Sequence, residues 1–201
     1  MALDDLSFKL YQDSALTTPY GGTLTITHNS DLSDGAQDFI LYFGSASTSV
    51  QLQSNVNPGV DNIVVTPVDN LPEWEASTAQ VVGYSAEPTV GNGRRYQVTT
   101  AGTSDATEPT WPTSIGSSVT DGTIIWTCVS STHETTEVKL AATALDLDTA
   151  TAGAGLSLGT TVLSGVANAK EIHVRVTNTV EDISNANDIA LSFNNVLETA
   201  Q

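Results

Sequence analysis

Apolar and polar residues alternate with a period of two over several short stretches of the chain, and Gly, Pro, Asn and Asp separate these stretches. Strict alternation places successive side chains on opposite faces, which is typical of half-buried β-strands. The pattern predicts strands over 23–28, 38–43, 50–53, 63–67, 137–143, 172–177 and 189–193. The best helical candidate is a short turn within 145–152, and the small residues of 150–159 predict a loop or a loosely packed edge.

Two of these stretches indicate where a core lies. Residues 38–43 form a continuous apolar run, which favours a central strand covered on both faces. In 172–177, the β-branched Ile172, Val174 and Val176 should point inward, together with Leu191 and Phe193 of the next strand. The intervening His173, Arg175 and Thr177 should then point outward. Pro67 should end its strand or lie on a sheet edge, because proline cannot donate to a ladder.

All three tryptophans fall within 74–129, where Asn92-Gly93 and Asp121-Gly122 predict tight hairpin turns. The flanking segments 1–72 and 131–201 supply about four strands each, too few for either to form a sandwich alone. We therefore expect an all-β chain with one discontinuous antiparallel β-sandwich, Ig-like or jelly-roll-like, built from 1–72 plus 131–201. Residues 73–130 should form a small Trp-rich β-module inserted at a loop.

The chain of 201 residues has 6 basic and 23 acidic residues, a formal net charge of −17. The charge is spread along the chain, with −7 in 1–72, −4 in 73–129 and −6 in the remainder. This balance argues against nucleic acid as a partner, since a phosphate backbone would be repelled. No apolar stretch approaches the roughly 18 residues of a membrane span, and the first residues lack a secretory pattern, so we expect synthesis in a cytoplasm. Cys128, the only cysteine, should be buried beside Trp126.

Candidate catalytic and metal-binding patterns are incomplete. His28, His133 and His173 are isolated from one another in sequence, and no zinc signature accompanies them. The aspartates of 31–34 and 146–148 do not continue into a calcium loop, although calcium binding stays open. We therefore expect a protein that is not an enzyme and that uses no cofactor.

The Trp-rich segment contains a distinctive series of motifs. In order, these are Trp74, Ser77-Thr78, Gly83, Asn92-Gly93, Tyr96, Gly102-Thr103-Ser104, Glu108-Pro-Thr-Trp111-Pro, Asp121-Gly122-Thr and Trp126-Thr-Cys128. This series resembles a small β-module that recurs in structural proteins of tailed bacteriophages. Short motifs in 21–28, 38–44, 57–59 and 140–143 also resemble phage virion proteins.

The resemblance implies a structural protein of the virion, with other capsid or tail subunits as partners. A capsid decoration protein on the particle surface is the first expectation, and a tail or tail-tip component is the alternative. Virion proteins of this kind act through repeated symmetric contacts, so a homo-oligomer or lattice, such as a trimer or hexameric array, is expected.

A second hypothesis comes from the opening of the module, which is faintly similar to chitin-binding modules. It implies a receptor- or glycan-binding surface, and the candidate partner or glycan contacts are Trp74, Tyr84, Arg94, Arg95, Tyr96 and Trp111. Exposure separates the two hypotheses, because core rings are buried and a sugar platform leaves at least two coplanar rings open. Arg94-Arg95 should serve either hairpin-tip solubility or an ion pair with an acidic neighbouring subunit.

Overall fold

The computed structural model describes residues 6–22, 24–183 and 185–201, and within them every ladder between strands is antiparallel. The strands before and after the Trp-rich segment are β1 (Lys9–Tyr11), β2 (Gln37–Gly44), β3 (Val50–Ser54), β4 (Ile63–Asp69), β11 (Val138–Ala141), β12 (Leu156–Gly159), β13 (Thr161–Leu163), β14 (Lys170–Val176), β15 (Ile189–Phe193) and β16 (Val196–Ala200). The strands within it are β5 (Ala79–Gln80), β6 (Ser85–Ala86), β7 (Arg94–Thr100), β8 (Gly102–Thr103), β9 (Ser118–Asp121) and β10 (Ile124–Ser131). The predicted all-β class is confirmed.

One layer of the sandwich is a four-stranded sheet in the order β1-β2-β14-β11. Its register pairs Ile172 with Leu41 and Val174 with Phe39, so the inward positions of neighbouring strands coincide. The predicted inward residues Ile172 and Val174 are buried. Val176 is partly buried against the same core.

The second layer consists of two three-stranded sheets, β12-β4-β15 and β13-β3-β16. On one side, β12 pairs with β4, and β13, which follows it directly in the chain, pairs with β3. On the other side, β15 pairs with β4, and the following strand β16 pairs with β3. The two sheets therefore lie end to end and form three long strands. The central strand runs from β3 to β4 and is interrupted by an excursion over 55–62.

The two layers share one apolar core. The rings of Phe43 and Phe193 stack across it with centroids 4.4 Å apart, and Phe8 packs beside Phe43 at 6.0 Å. Its other buried members are Leu6, Leu41, Leu52, Ile63, Val65, Val138, Leu140, Leu158, Val162, Ile172, Val174 and Val196. Both flanking segments contribute to this core, so they form a single antiparallel sandwich.

The strands of the Trp-rich segment pair among themselves, in a sheet of order β6-β7-β10-β9 and a short pair β5-β8. A separate core fills this unit, formed by Trp74, Ala86, Tyr96, Val98, Ile124, Trp126 and Cys128. The cysteine is buried beside Trp126, as expected. The β7–β10 ladder continues to Ser131, one residue beyond the predicted boundary. Whether the unit folds independently stays a prediction.

The strand predicted at 23–28 was wrong for the part that the structure describes. Thr23 lies outside the described residues, and 24–28 pair with no strand in the described chain. Leu24 is 36 % exposed, and Leu24 and Ile26 line a cavity against the sandwich. Alternation shows which side chains meet an apolar surface, but it does not show that the backbone has a partner strand.

Two further expectations need correction. Strand β2 is central but is not covered on both faces, because Ile40 is 44 % exposed. His173 does not face solvent, since it is 7 % exposed, and a 3-10 turn over Leu145–Asp148, the predicted helical turn, contacts β11 and β14. Pro67 does not end its strand, but it lies at a local sheet edge, as expected: β12 stops opposite Val65, so the strand has a partner on only one side at Pro67.

The sequence pattern also missed strands. β1, β13 and β16 were not predicted, and the end of 150–159, predicted as a loop or a loosely packed edge, forms the edge strand β12. The segment after the Trp-rich unit supplies six strands where about four were expected. β1 and β13 contain three residues each, which is too short for a periodic signal.

Candidate functional site

The aromatic residues of the inserted unit converge on one buried carboxylate. Asp121 Oδ2 accepts hydrogen bonds from the indole Nε1 atoms of Trp74 (2.8 Å) and Trp126 (3.0 Å). Its Oδ1 accepts a third bond from the backbone N–H of Asp105 at 2.8 Å. Asp121 is 2 % exposed, so its charge is held by these three donors in place of water.

The half-buried rings pack around this centre at steep angles. Trp111 lies 4.3 Å from Tyr96 with an interplanar angle of 43°, and 5.7 Å from Trp126 at 69°. Tyr84 is inclined by 60° to Trp126. The Nε1 atom of Trp111 donates to Glu108 at 2.8 Å. The rings therefore form a core and present no pair of coplanar faces, so the ring geometry does not favour the glycan hypothesis.

Tyr96, also a predicted contact residue, is fully buried. Its hydroxyl donates to the carbonyl of Pro112 at 2.9 Å and accepts from Asn92 Nδ2 at 2.8 Å. These bonds tie the turn before β7 to the Trp111–Pro112 segment. Trp74 and Tyr96 thus support the inserted unit from inside, and neither offers a ring face to a partner.

Arg94 and Arg95 lie at the start of β7 and bind the sandwich. Arg95 Nη1 is 3.7 Å from Asp188 Oδ1 and donates to the carbonyl of Asn185 at 2.8 Å. Arg94 Nη1 is 3.8 Å from Asp182 Oδ2. The acidic partners that the structure gives this pair belong to the same chain, while roles in hairpin-tip solubility or in contact with a neighbouring subunit stay predictions.

Asp182 and Asp188 also bind the two connections between the units. Asp182 Oδ2 accepts from the backbone N–H of Ser131 at 2.7 Å, and Asp188 Oδ2 accepts from that of His133 at 3.1 Å. On the other connection, Asn70 donates its backbone N–H to the carbonyl of Asp188 at 2.7 Å. We call this region, formed by 69–73, 94–95, 131–137, 182–183 and 185–188, the joint.

A histidine–carboxylate pair lies on the sandwich side of the joint. His133 Nδ1 is 2.8 Å from Glu137 Oε2, and this bond raises the pKa of His133. Burial raises the pKa of Glu137, but hydrogen bonds from His133 and Thr179 outweigh burial and lower it. The contribution of the pair to stability is therefore present above about pH 4.5, the pKa of Glu137 in the unfolded chain. It is lost when His133 gives up its proton, which happens above about pH 6.5 because the pKa of His133 is raised in the fold.

A group of carboxylates lies on the other side of the joint. Glu87 and Glu73 are partners in an isolated parallel β-bridge, which brings their backbones side by side. The pKa of Glu87 is raised to about 7. Burial is the largest cause, followed by a hydrogen bond with Asp69 and by the negative charges of Asp69, Glu134 and Glu73. A carboxyl that ionises at this pH makes the joint sensitive to neutral pH.

A cavity of about 510 Å³ opens between the inner face of the first layer and the segments 20–22, 24–28 and 186–191. Its walls include Leu41, Val174 and Leu191. Three buried polar atoms that lack a hydrogen-bond partner belong to lining residues: Tyr20 Oη, His28 Nε2 and Asp188 Oδ1. The cavity can hold apolar groups along its walls and hydrogen-bonding groups at these atoms.

Within the described ranges, no group of three or more His, Cys, Asp or Glu side chains is arranged to hold a metal ion. No helix among the same residues is long and apolar enough to cross a bilayer. Sequence reasoning missed Asp121 and Asp188, which are the central carboxylates of the aromatic core and the joint. Asp121 was taken for a turn residue, although it follows Val119 at an inward position, which is a detectable signal.

No protein-family model matches the chain, and neither a curated protein nor a solved structure matches it.

Proposed function

We propose that the chain is a non-enzymatic structural protein of a tailed-bacteriophage particle, located on the virion surface as a capsid decoration protein. A tail or tail-tip position is the alternative within the same class. The protein would act by binding and stabilising neighbouring capsid or tail subunits.

One observation carries this proposal: the residues that resemble the phage module are the residues that build the inserted unit. Trp74 and Trp126 meet at Asp121, and Gly122 turns the chain between β9 and β10 with φ 58°. Gly93 enters β7 with φ 71°, a conformation that favours glycine. The resemblance therefore covers the positions that determine the fold of the unit.

The Gly102-Thr103-Ser104 motif has a similar structural role. A Cβ at Gly102 would lie 2.6 Å from the backbone oxygen of Thr123, so no other residue fits without movement. The hydroxyl of Ser104 donates to the carbonyl of Glu75 at 2.7 Å and accepts from the backbone N–H of Thr78 at 2.9 Å. The motif closes the unit near its first strand, and it supports the likeness to a folded module.

The experiment is to locate the chain on particles produced from the genome that encodes it. We expect mass spectrometry to find the chain in purified virions and immunogold labelling to place it regularly over the capsid. Label confined to the tail would select the alternative position. Virions that lack the chain, and that do not bind the purified protein, would contradict the proposal.

A matched variant tests the inserted unit in the same assay. The chain lacking residues 74–129 should fold but bind particles more weakly, if the unit makes the contact. Unchanged binding would assign the contact to the sandwich.

A further inference from the structure

The outer face of the second layer carries no charged side chain. Alternation along the three long strands sends one set of side chains into the core and the other set outward. The outward set, which we call the uncharged face, consists of Gln51, Gln53, Val64, Thr66, Val68, Ser157, Thr161, Leu163, Ala190, Ser192, Leu197 and Thr199.

The register supports this assignment. Gln53 Nε2 donates to Thr161 Oγ1 at 3.1 Å on the neighbouring strand, and Gln51 Nε2 is 3.4 Å from Thr199 Oγ1 on the opposite side. The side chains between them, Leu52 and Val162, are fully buried. These glutamine and threonine side chains therefore hydrogen-bond to one another across the strands.

The absence of charge sets this face apart from the opposite one. Charged residues make up 14 % of the chain, so twelve positions of average composition would carry about two charges, and this face carries none. The outer face of the first layer, by contrast, carries Asp38, Lys139, Glu171 and Arg175. The chain has a net charge of −17, and its acidic residues avoid this face.

The excursion over 55–62 projects beside the uncharged face. The position of a Cβ on Gly59 would lie 3.3 Å from Gln53 Nε2, which places the excursion next to that outward side chain. It exposes Val56 (69 %) and Val60 (73 %). Its one carboxylate, on Asp61, accepts a hydrogen bond from Asn57 Nδ2 at 2.8 Å. The excursion therefore adds apolar contact area to the face.

We propose that two copies of this chain associate through the uncharged face, with the excursion at the centre of the contact. A basic partner would be bound best by a face that carries acidic residues. A second copy of the chain brings the same −17, and it can approach closely only where neither surface is charged. The contact pairs the same surface on both copies around a two-fold axis.

The size of the face sets the expected strength. The three long strands contain about 8 to 12 residues each and together cover roughly 500 Å² on each copy. The total of about 1,000 Å² lies at the low end of specific interfaces. We therefore expect a reversible dimer with a dissociation constant in the micromolar range.

Sedimentation equilibrium of the full chain tests the inference. The dimer should tighten by about tenfold between about 20 mM and about 300 mM NaCl, because salt screens the repulsion between two acidic copies. Ser192→Glu and Val60→Glu each add a like charge to both sides of the contact and should weaken it at least about tenfold. Both positions are exposed, so neither variant should unfold the chain.

Thr120→Glu is the matched control, since it adds the same charge at an exposed strand position of the inserted unit. It should leave the dimer unchanged. A chain that stays monomeric at millimolar concentration in high salt would overturn the inference, and so would a dimer that both face variants leave intact. The purified chain alone is measured, so this outcome is independent of binding to particles.

Discussion

The buried carboxylate of Asp121 should be the residue on which the inserted unit depends most. Asp121→Ala removes the acceptor of two indole N–H groups and of the Asp105 backbone N–H. Each buried donor left without a partner costs about 1–3 kcal/mol. Relief of carboxylate desolvation offsets part of this, so we expect a loss of about 3–6 kcal/mol.

That loss is comparable with the whole stability of a unit of this size. At roughly 0.05–0.15 kcal/mol per residue, about 58 residues are stable by about 3–9 kcal/mol. Asp121→Ala should therefore unfold the unit or leave it marginal. Asp121→Asn should lose less, about 1–2 kcal/mol, because its amide oxygen can still accept from both indoles while its NH₂ group opposes the Asp105 N–H.

Tryptophan fluorescence is a specific assay for this effect. The three tryptophans all lie in the inserted unit, so their emission during urea unfolding reports that unit, while far-UV circular dichroism follows the whole chain. Asp105→Ala is the control, because it removes an exposed carboxylate and keeps the backbone N–H that Asp121 accepts. If Asp121→Ala shifts the fluorescence transition by less than about 0.5 kcal/mol, the three hydrogen bonds do not hold the unit together.

Three further predictions concern the sandwich and the joint. Val174→Asp should prevent folding of the sandwich, since an unpaired buried carboxylate costs several kcal/mol. The control is Ile40→Asp, on the opposite face of the same sheet, and this variant should remain soluble. If the two variants melt at the same temperature by circular dichroism, the core assignment is contradicted. The pKa of Glu87 is raised from 4.5 to about 7, so stability should fall as pH rises between these values. Glu87→Gln should then raise the free energy of unfolding near pH 8 by about 1 kcal/mol, allowing for solvent screening, and leave it unchanged near pH 4. An equal change at both pH values would show that titration of Glu87 is not the cause. Deletion of 74–129 with a glycine linker from Pro72 to Ser130 should leave the sandwich folded. The deletion also removes Arg95, which neutralises the buried carboxylate of Asp188, so adding Asp188→Asn should make the shortened protein more stable. If the shortened protein aggregates with and without Asp188→Asn, and the excised unit stays unfolded, the chain is a single domain.

Much of the sandwich could be predicted from local patterns. Alternation in 172–177 and 189–193 located β14 and β15, because one face of each strand meets the core and the other does not. The joining of β3 and β4 into one long strand could not be predicted. It depends on β12–β13 and β15–β16, which lie about a hundred residues later in the chain. Single-sequence periodicity contains no information about such distant partners.

The residues of the site divide in the same way. Cys128 was recognisable as buried, because a lone cysteine is usually a small buried hydrophobe. Trp74 and Tyr96 were candidate contacts, although large aromatic residues in a small unit usually form its core. The partners of Arg94 and Arg95 were not recognisable, since nothing near 94–95 in sequence indicates that Asp182 and Asp188 lie against them. A charged residue whose partner is distant in sequence is interpreted as exposed until the fold is known.

Charge also explains why the joint is built as it is. The inserted unit is acidic, and the flanking segments carry −7 and −6, so the two units repel each other. The unit has two basic residues, Arg94 and Arg95, and both lie at the joint against Asp182 and Asp188. Arg95 is the more buried of the two, with 15 % of its side chain exposed. Removing it would leave Asp188 buried and unneutralised beside a repelling neighbour, so Arg95→Gln should loosen the joint at low salt far more than Arg94→Gln. Cleavage by a protease at 69–73 or 131–133 would measure that loosening, and equal cleavage of the two variants would exclude Arg95 as its main electrostatic contact.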